Sequence, residues 1–125
     1  MDDSVRRALS QGHTIDITTT GRRTGKARRI ELVFHNIDGR IIISGSPSPH
    51  TRAWILNLLA DPALTFHLKR SVHADLPATA RVIADPVERR GIADWIVANA
   101  WPKMDVAQMA ALSPMIEVTI DGLAG

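Results

Sequence analysis

The stretch TTTGRRTGKARR, residues 18–29, joins two segments in which apolar and polar residues alternate. It combines glycines with a run of cations, which are Arg22, Arg23, Lys26, Arg28 and Arg29. Guanidinium groups bind phosphate and carboxylate through paired hydrogen bonds, and glycines let backbone N–H groups approach an anion closely. The stretch therefore predicts a turn between two strands that binds an anion. A solvated connection is the alternative interpretation.

Alternation on both sides of this turn predicts strands. Residues 13–20 and residues 28–35 each place apolar side chains on one face and mostly polar side chains on the other. Asp38-Gly39 is typical of a tight hairpin turn, and a third strand follows over residues 40–46. The run of three isoleucines in that third strand indicates that both of its faces are covered.

The rest of the chain predicts further strands and four helices. Strands are expected over residues 64–69, 74–84 and 116–120, and helices over residues 4–10, between Thr51 and Asp61, from Asp85 to about Ala100, and over residues 106–112. Together with the first three strands they predict a mainly β fold with flanking helices, a small antiparallel split barrel in one domain, residues 1–125.

Four local details accompany these elements. Thr51 is expected to cap the second helix, whose apolar face would include Leu59. Pro77 argues for an edge or a bulge in the fifth strand, because proline lacks an N–H group. Asp85 is expected to cap the third helix, with Glu88 completing a capping box.

Composition limits the class of protein. The chain has 125 residues, 45% of them hydrophobic, a formal net charge of +2 and no cysteine. One globular domain without disulfides or thiolate chemistry is expected, in a reducing compartment such as the cytoplasm. The first residues lack the pattern of a signal peptide, and no apolar run is long enough to cross a membrane. With two Phe and no Tyr, stacking residues for nucleic acid are scarce, so a small anionic molecule is the expected partner.

Other chemistries find little support. GRRTGK differs from a nucleotide phosphate loop in glycine spacing and precedes a strand rather than a helix. Neither GxGxxG nor GxSxG occurs, and the five histidines lack the helical spacing of metal ligands. No metal site is therefore predicted.

Three features together resemble the deazaflavin-dependent nitroreductase family, the split β-barrel oxidoreductases that use coenzyme F-420. They are the TTTGRRTGKARR turn, the strand that ends in SGSPSP, and W-x-x-N-L at residues 54–58 followed by Ala-Asp-Pro. The resemblance implies an FMN-binding-like split barrel in which the basic turn grips the phosphate and glutamyl tail. By matching position, the tail-binding candidates are Arg22, Arg23, Thr24 and Arg28. The candidates beside the deazaflavin ring are Ser44, Ser46, Pro47, Ala53, Trp54 and Asn57.

The same resemblance implies hydride transfer from the reduced coenzyme to an unsaturated, quinone-like or nitro small molecule. Such a transfer depends mainly on positioning. His35 is the candidate proton donor, and a strand histidine with no role in the pocket is the alternative interpretation. Two alternatives remain open, which are an FMN-dependent reductase on the same barrel and a non-catalytic module that binds a flavin, deazaflavin or haem-like ligand. A homodimer is also compatible with the sequence.

Overall fold

A computed structural model of the protein describes residues 1–123 and shows a six-stranded barrel with helices outside it. The elements in chain order are α1 (Asp3–Leu9), β1 (Thr14–Thr20), β2 (Ala27–Ile37), β3 (Arg40–Ser44), α2 (Ala53–Ala60), β4 (Ala63–Lys69), β5 (His73–Val82), α3 (Pro86–Asn99), α4 (Val106–Leu112) and β6 (Met115–Ile120). All strand pairs are antiparallel, and the barrel closes in the order β1-β2-β3-β6-β5-β4. The predicted small antiparallel barrel with flanking helices is confirmed.

The barrel interior is filled by the inward residues of the alternating strands. Ile15, Ile17, Phe34 and Phe66 are fully buried there, and the Phe34 and Phe66 rings meet edge to face with centroids 5.4 Å apart. Side chains of successive strand residues point to opposite faces, so each strand supplies alternate residues to this core. The interior is a packed core that positions the barrel rim.

A second core lies outside the barrel, where α3 and α4 cover one face of β3 and β6. Ile42 and Met115 face this layer and pack with Ile92, Ile96 and Met109 of the helices. Ile41 and Ile43, which flank Ile42 in β3, belong instead to the barrel interior. The three-isoleucine run is therefore covered on both faces, as predicted.

The hairpin between β2 and β3 also follows its sequence pattern. Asp38 and Gly39 both have positive φ, at 52° and 86°, which is the conformation of a two-residue hairpin turn that matches the twist of the strands. The register that follows pairs Phe34 with Ile43.

Two predictions about α2 are wrong. The N-cap is Arg52 rather than Thr51, because the chain stays extended through Arg52, and no side-chain hydrogen bond caps the helix. Leu59 is 62% exposed, because the buried face of this two-turn helix is already formed by Trp54 and Leu58 with their neighbours.

Pro77 lies in the part of β5 that pairs with β4 alone, because pairing with β6 begins at Ala78, so it has the local edge position that the sequence predicts. Its carbonyl accepts from the Asp121 N–H at 2.9 Å. The prediction for Glu88 needs correction. Asp85 does cap α3, accepting the Glu88 N–H at 2.9 Å. The Glu88 carboxylate does not return to Asp85. It contacts Arg40 and Arg81, both at 2.7 Å, because charged partners are available on the barrel surface.

His35 lies in the outer layer rather than at the barrel rim. The residue is 4% exposed, and its ring meets the edges of Trp101 and Trp95 with centroids 4.8 Å and 6.3 Å apart. Its Nε2 atom is buried and has no hydrogen-bond partner among residues 1–123. Burial disfavours the charged imidazolium and lowers the pKa of His35 to about 4.

This burial predicts a specific pH dependence of stability. In the unfolded chain His35 titrates at about 6.5, so between about pH 6.5 and 4 the unfolded state binds more protons and stability falls as the pH falls. Between about pH 7.5 and pH 5, where most carboxylates stay ionised, protonation of His35 in the unfolded chain should lower the free energy of unfolding by about 2 kcal/mol.

Urea unfolding of the parent and of His35→Leu over this pH range measures the effect. Leucine has a similar volume and no proton to bind, so the variant should lose that part of the pH slope. If the free energy of unfolding changed equally with pH in the two proteins, His35 could not be a buried imidazole that stays neutral in the folded state.

Candidate functional site

The basic turn is closed by its own backbone. The Gly21 N–H donates to the Lys26 carbonyl and the Gly25 N–H donates to the Gly21 carbonyl, both at 2.8 Å. Gly25 has a φ of 70°, which glycine adopts at little cost, and the Thr24 hydroxyl accepts the Lys26 N–H at 3.2 Å. A Cβ at Gly21 would come within 3.1 Å of the Lys26 carbonyl oxygen. The glycines of the motif thus allow the turn to fold tightly while its cationic side chains extend outward.

Asn57 of α2 holds this turn against the barrel. Its Oδ1 atom accepts from the Arg22 N–H at 3.1 Å and from Arg22 Nη1 at 3.4 Å, while its Nδ2 donates to the Thr19 hydroxyl at 3.3 Å. Asn57 is only 5% exposed, so these bonds form away from bulk water. The resemblance placed Asn57 beside the ring; in the structure its amide fixes the turn and Arg22.

A groove of about 430 Å³ lies between the turn and α2, within the size range of small-molecule sites. From the predicted set it is lined by Arg22, Arg23, Thr24, Arg28, Ala53, Trp54 and Asn57. Sequence reasoning did not single out its other lining residues, Thr19, Gly21 and Ile30. The first two lie in or beside the turn motif, so their positions in the sequence could have identified them.

Trp54 exposes too little of its side chain to serve alone as a stacking surface for a planar ring. It is 8% exposed and also belongs to the hydrophobic core of the barrel. The apolar side of the groove is therefore shared between Trp54, Ile30 and Ala53.

Four predicted site residues do not line this groove. Ser44 is 2% exposed and its hydroxyl donates to the Pro114 carbonyl at 2.7 Å, so its polar atom is already used inside the protein. Ser46 and Pro47 lie in the loop before α2, where the Ser46 carbonyl accepts from Arg52 at 3.0 Å. His35 lies in the outer layer between the two tryptophans.

The charge around the groove is unbalanced. Among residues 1–123, Arg29 is the one cation of the turn that pairs with a carboxylate, that of Asp16 at 2.9 Å. The others, Arg22, Arg23, Lys26 and Arg28, make no such pair with a described residue, and no Asp or Glu of the described chain lines the groove. Clustered guanidinium groups without carboxylate partners favour a polyanionic ligand. Next to an apolar side, they suit a molecule that has an anionic tail and an uncharged flat body.

Residues 1–123 show neither a cluster of metal ligands nor a membrane-spanning helix. No three His, Asp or Glu side chains in this part of the chain converge as metal ligands. None of its helices has the length and apolar character needed to cross a membrane.

Several solved structures share the fold. A structure described as an F-420-H2-dependent reductase, FDR-A, is 24% identical and has a TM-score of 0.59, covering 85% of this chain and 93% of that chain. An F-420 reductase is 14% identical with a TM-score of 0.70, covering 94% and 93%. A protein described as a domain-swapped dimer is 22% identical with a TM-score of 0.61, covering 94% and 95%. At these identities the likeness establishes the common barrel.

The sequence itself matches a described family over almost its whole length. Residues 2–121 match the family described as F-420H(2)-dependent quinone reductase. This match agrees with the resemblance based on the basic turn and the W-x-x-N-L helix, between which the arginine-lined groove lies. The chain therefore belongs to the F-420H(2)-dependent quinone reductase family and is an oxidoreductase that uses coenzyme F-420.

Proposed function

We propose that the enzyme transfers hydride from reduced coenzyme F-420 to a quinone-like small molecule, and that the groove under the basic turn holds the coenzyme. The observation that carries this proposal is the cluster of cations without carboxylate partners above a groove with one apolar side. The family description supports a quinone as the acceptor. Other unsaturated molecules and nitro compounds are the acceptors to compare with it.

The described residues fit this coenzyme. Arg22, Arg23 and Arg28 would bind its phosphate and carboxylates, and Asn57 holds Arg22 in place before the ligand arrives. Ile30 and the α2 residues beside it supply apolar contact for the uncharged part of the molecule. When bound, the coenzyme supplies the hydride from its deazaflavin ring.

The chain contributes mainly through positioning. Arginines are the ionisable residues that line the groove, and they stay protonated, so none of them serves as a general acid at neutral pH. His35 is buried in another layer with a lowered pKa, so we do not assign it the role of proton donor. Fixing two reactants in a productive geometry is itself a large rate term.

The first prediction for this site concerns the charge of the turn. Replacing Arg22 and Arg23 together with Gln should weaken binding of coenzyme F-420 by several kcal/mol, because each hydrogen bond to a charged group is worth about 1.5–3 kcal/mol. Folding stability should barely change, since both side chains are exposed and form no ion pair among residues 1–123. Isothermal titration and urea unfolding measure the two effects.

A matched control is Arg6 and Arg7 replaced together with Gln. This pair is also adjacent and exposed but lies on α1. The control removes the same charge and should bind the coenzyme like the parent. Equal loss of affinity in both double variants would mean that net charge, not the turn, determines binding.

Asn57 allows the geometry of the turn to be separated from its charge. Asn57→Ala should cost about 1–3 kcal/mol of folding stability, because it leaves buried polar groups unpaired, and should also weaken coenzyme binding. Asn57→Asp keeps an acceptor for the Arg22 N–H but adds a carboxylate that competes with the anionic ligand. We expect Asn57→Asp to fold better than Asn57→Ala yet still bind poorly. Full affinity in Asn57→Asp would refute the electrostatic part of the proposal.

Turnover distinguishes the proposed enzyme from the alternatives. Single-turnover oxidation of the reduced coenzyme should occur with quinones and should change less than about tenfold in His35→Leu at neutral pH, below the effect of losing a general acid. A panel of enones and nitroaromatics ranks the acceptors.

Tight binding of FMN without binding of the deazaflavin would favour the FMN-dependent reductase. Stoichiometric coenzyme binding with no oxidation by any acceptor would favour a non-catalytic module.

We also propose a cytoplasmic location, supported by the absence of cysteine, and a homodimer, supported by the neighbour described as a domain-swapped dimer. Sedimentation velocity tests the assembly: a single monomeric species at micromolar concentration would contradict the dimer.

A further inference from the structure

A second groove, of about 400 Å³, lies on the other side of α2. The groove between the basic turn and α2, which we call the coenzyme groove, is lined from this helix by Ala53, Trp54 and Asn57. The second groove is lined by Ile55 and Leu59 of the same helix and by Arg52 at its N-cap. The remaining walls are the loop of residues 48–52, the end of β5 with the following residues 83–84, one side chain of α3, and the segment from the end of α4 to the start of β6. We call it the α2–α4 groove. No residue is shared between the two grooves.

The α2–α4 groove has positive charge and no acid. Within the described part of the chain, its lining includes Arg52 and Arg89 but no Asp or Glu. The Arg89 guanidinium donates to the carbonyls of Ala110 at 2.7 Å, Ile83 at 2.9 Å and Ser113 at 2.5 Å. All three partners are uncharged, and burial lowers the pKa of Arg89. Its positive charge is thus partly removed from water without a compensating carboxylate.

Two buried polar atoms of the same lining lack partners. Among residues 1–123, neither Arg52 Nε nor the Ser113 hydroxyl oxygen has a hydrogen-bond partner, and Ser113 is 3% exposed. Buried polar groups in proteins are nearly always paired, so an unpaired N–H and hydroxyl in one groove need an explanation. A ligand oxygen that enters the groove wall would pair with them.

Apolar side chains line a further part of the groove. Ile55, Val82 and Met115 line it, and Leu59 and Leu112 stand at it while 62% and 42% exposed. These two leucines are among the few large apolar side chains that the structure leaves in water. A ligand that covered them would gain apolar burial.

We propose that the α2–α4 groove binds a compact apolar carboxylate, a molecule with one anionic head and a hydrophobic body of aromatic size. The head pairs with the donors of Arg52 and Ser113 in the field of Arg89, and the body contacts the leucines and their apolar neighbours. This proposal does not depend on the assignment of the coenzyme groove.

The test uses the full chain and 2-naphthoate as the probe, followed by isothermal titration. 2-Naphthamide has the same ring system without the charge, and acetate has the charge without the ring. We expect saturable binding of one naphthoate per chain, with naphthamide and acetate each at least about tenfold weaker, as expected for one lost charged hydrogen bond or the lost apolar contact. Equal affinity for naphthoate and naphthamide would overturn the proposal.

Variants locate the site. Arg52→Gln, Ser113→Ala and Leu59→Asp should each weaken naphthoate binding, whereas Arg90→Gln, an exposed cation on α3 paired with Asp94, should not. Ser113→Ala should leave the urea midpoint unchanged or raised, because the hydroxyl it removes has no partner. A purely structural role for Ser113 predicts the opposite: a lowered midpoint with normal binding.

Two further outcomes would refute the proposal. Loss of naphthoate binding in the Arg22 and Arg23 double variant, with normal binding in Arg52→Gln, would place the probe in the coenzyme groove. A dimer of the parent that Leu59→Asp dissociates, with no naphthoate binding, would show that a second copy of the chain covers the groove.

Discussion

Closure of the barrel through β1 is the constraint on which the rest of this structure depends. β1 pairs with β2 along its whole length and with β4 over residues 16–18, so the first strand joins both ends of the sheet. Closure gives every strand two neighbours and commits one face of each strand to the interior, where Phe34 and Phe66 meet. It also fixes where β1 ends and β2 begins, and therefore where the basic turn leaves the rim.

The site is built on that rim from two parts that are distant in sequence. The turn supplies charge, and α2 supplies the amide of Asn57 that binds Arg22 across 35 positions of the chain. Because the turn closes on itself through backbone bonds, its cations need no carboxylate partners to be ordered. They remain available to an anionic coenzyme. A turn that supplies charge and a helix that holds the turn in place suit an enzyme whose cofactor carries the reactive atom, because the protein then needs to provide mainly binding and orientation.

Ion pairs between α3 and the strands β3, β5 and β6 serve structure instead. Arg40 and Arg81 both contact Glu88 and Glu117, which ties α3 to β3, β5 and β6. These contacts lower the pKa of Glu88 to about 2, mainly through its hydrogen bond with Arg81. The pairs lie near the surface, so each is worth little alone, yet as a network they orient the outer layer that buries His35. Basic residues thus occur in two arrangements among residues 1–123: those that join α3 to the barrel are paired with carboxylates, and those that line the groove beside the turn are not.

The sequence by itself determined the local structure and the chemistry of the turn. Alternation identified the inward residues of β1, β4 and β6, Asp38-Gly39 specified its hairpin, and Asp85 marked the start of α3, because these depend on neighbours in the chain. Glycines and arginines in residues 18–29, with the W-x-x-N-L helix, were enough to indicate the family and most of the groove.

Only the tertiary structure decided what covers each outward face. Alternation placed His35 opposite Phe34, but not under Trp95 and Trp101, which come from α3 and the residues just after it, about sixty residues later. The same limit explains Ser44, whose hydroxyl binds the Pro114 carbonyl, and Leu59, which a short helix leaves in water. Strand periodicity specifies which residues share a face, whereas the partner of that face is chosen by long-range packing and barrel closure.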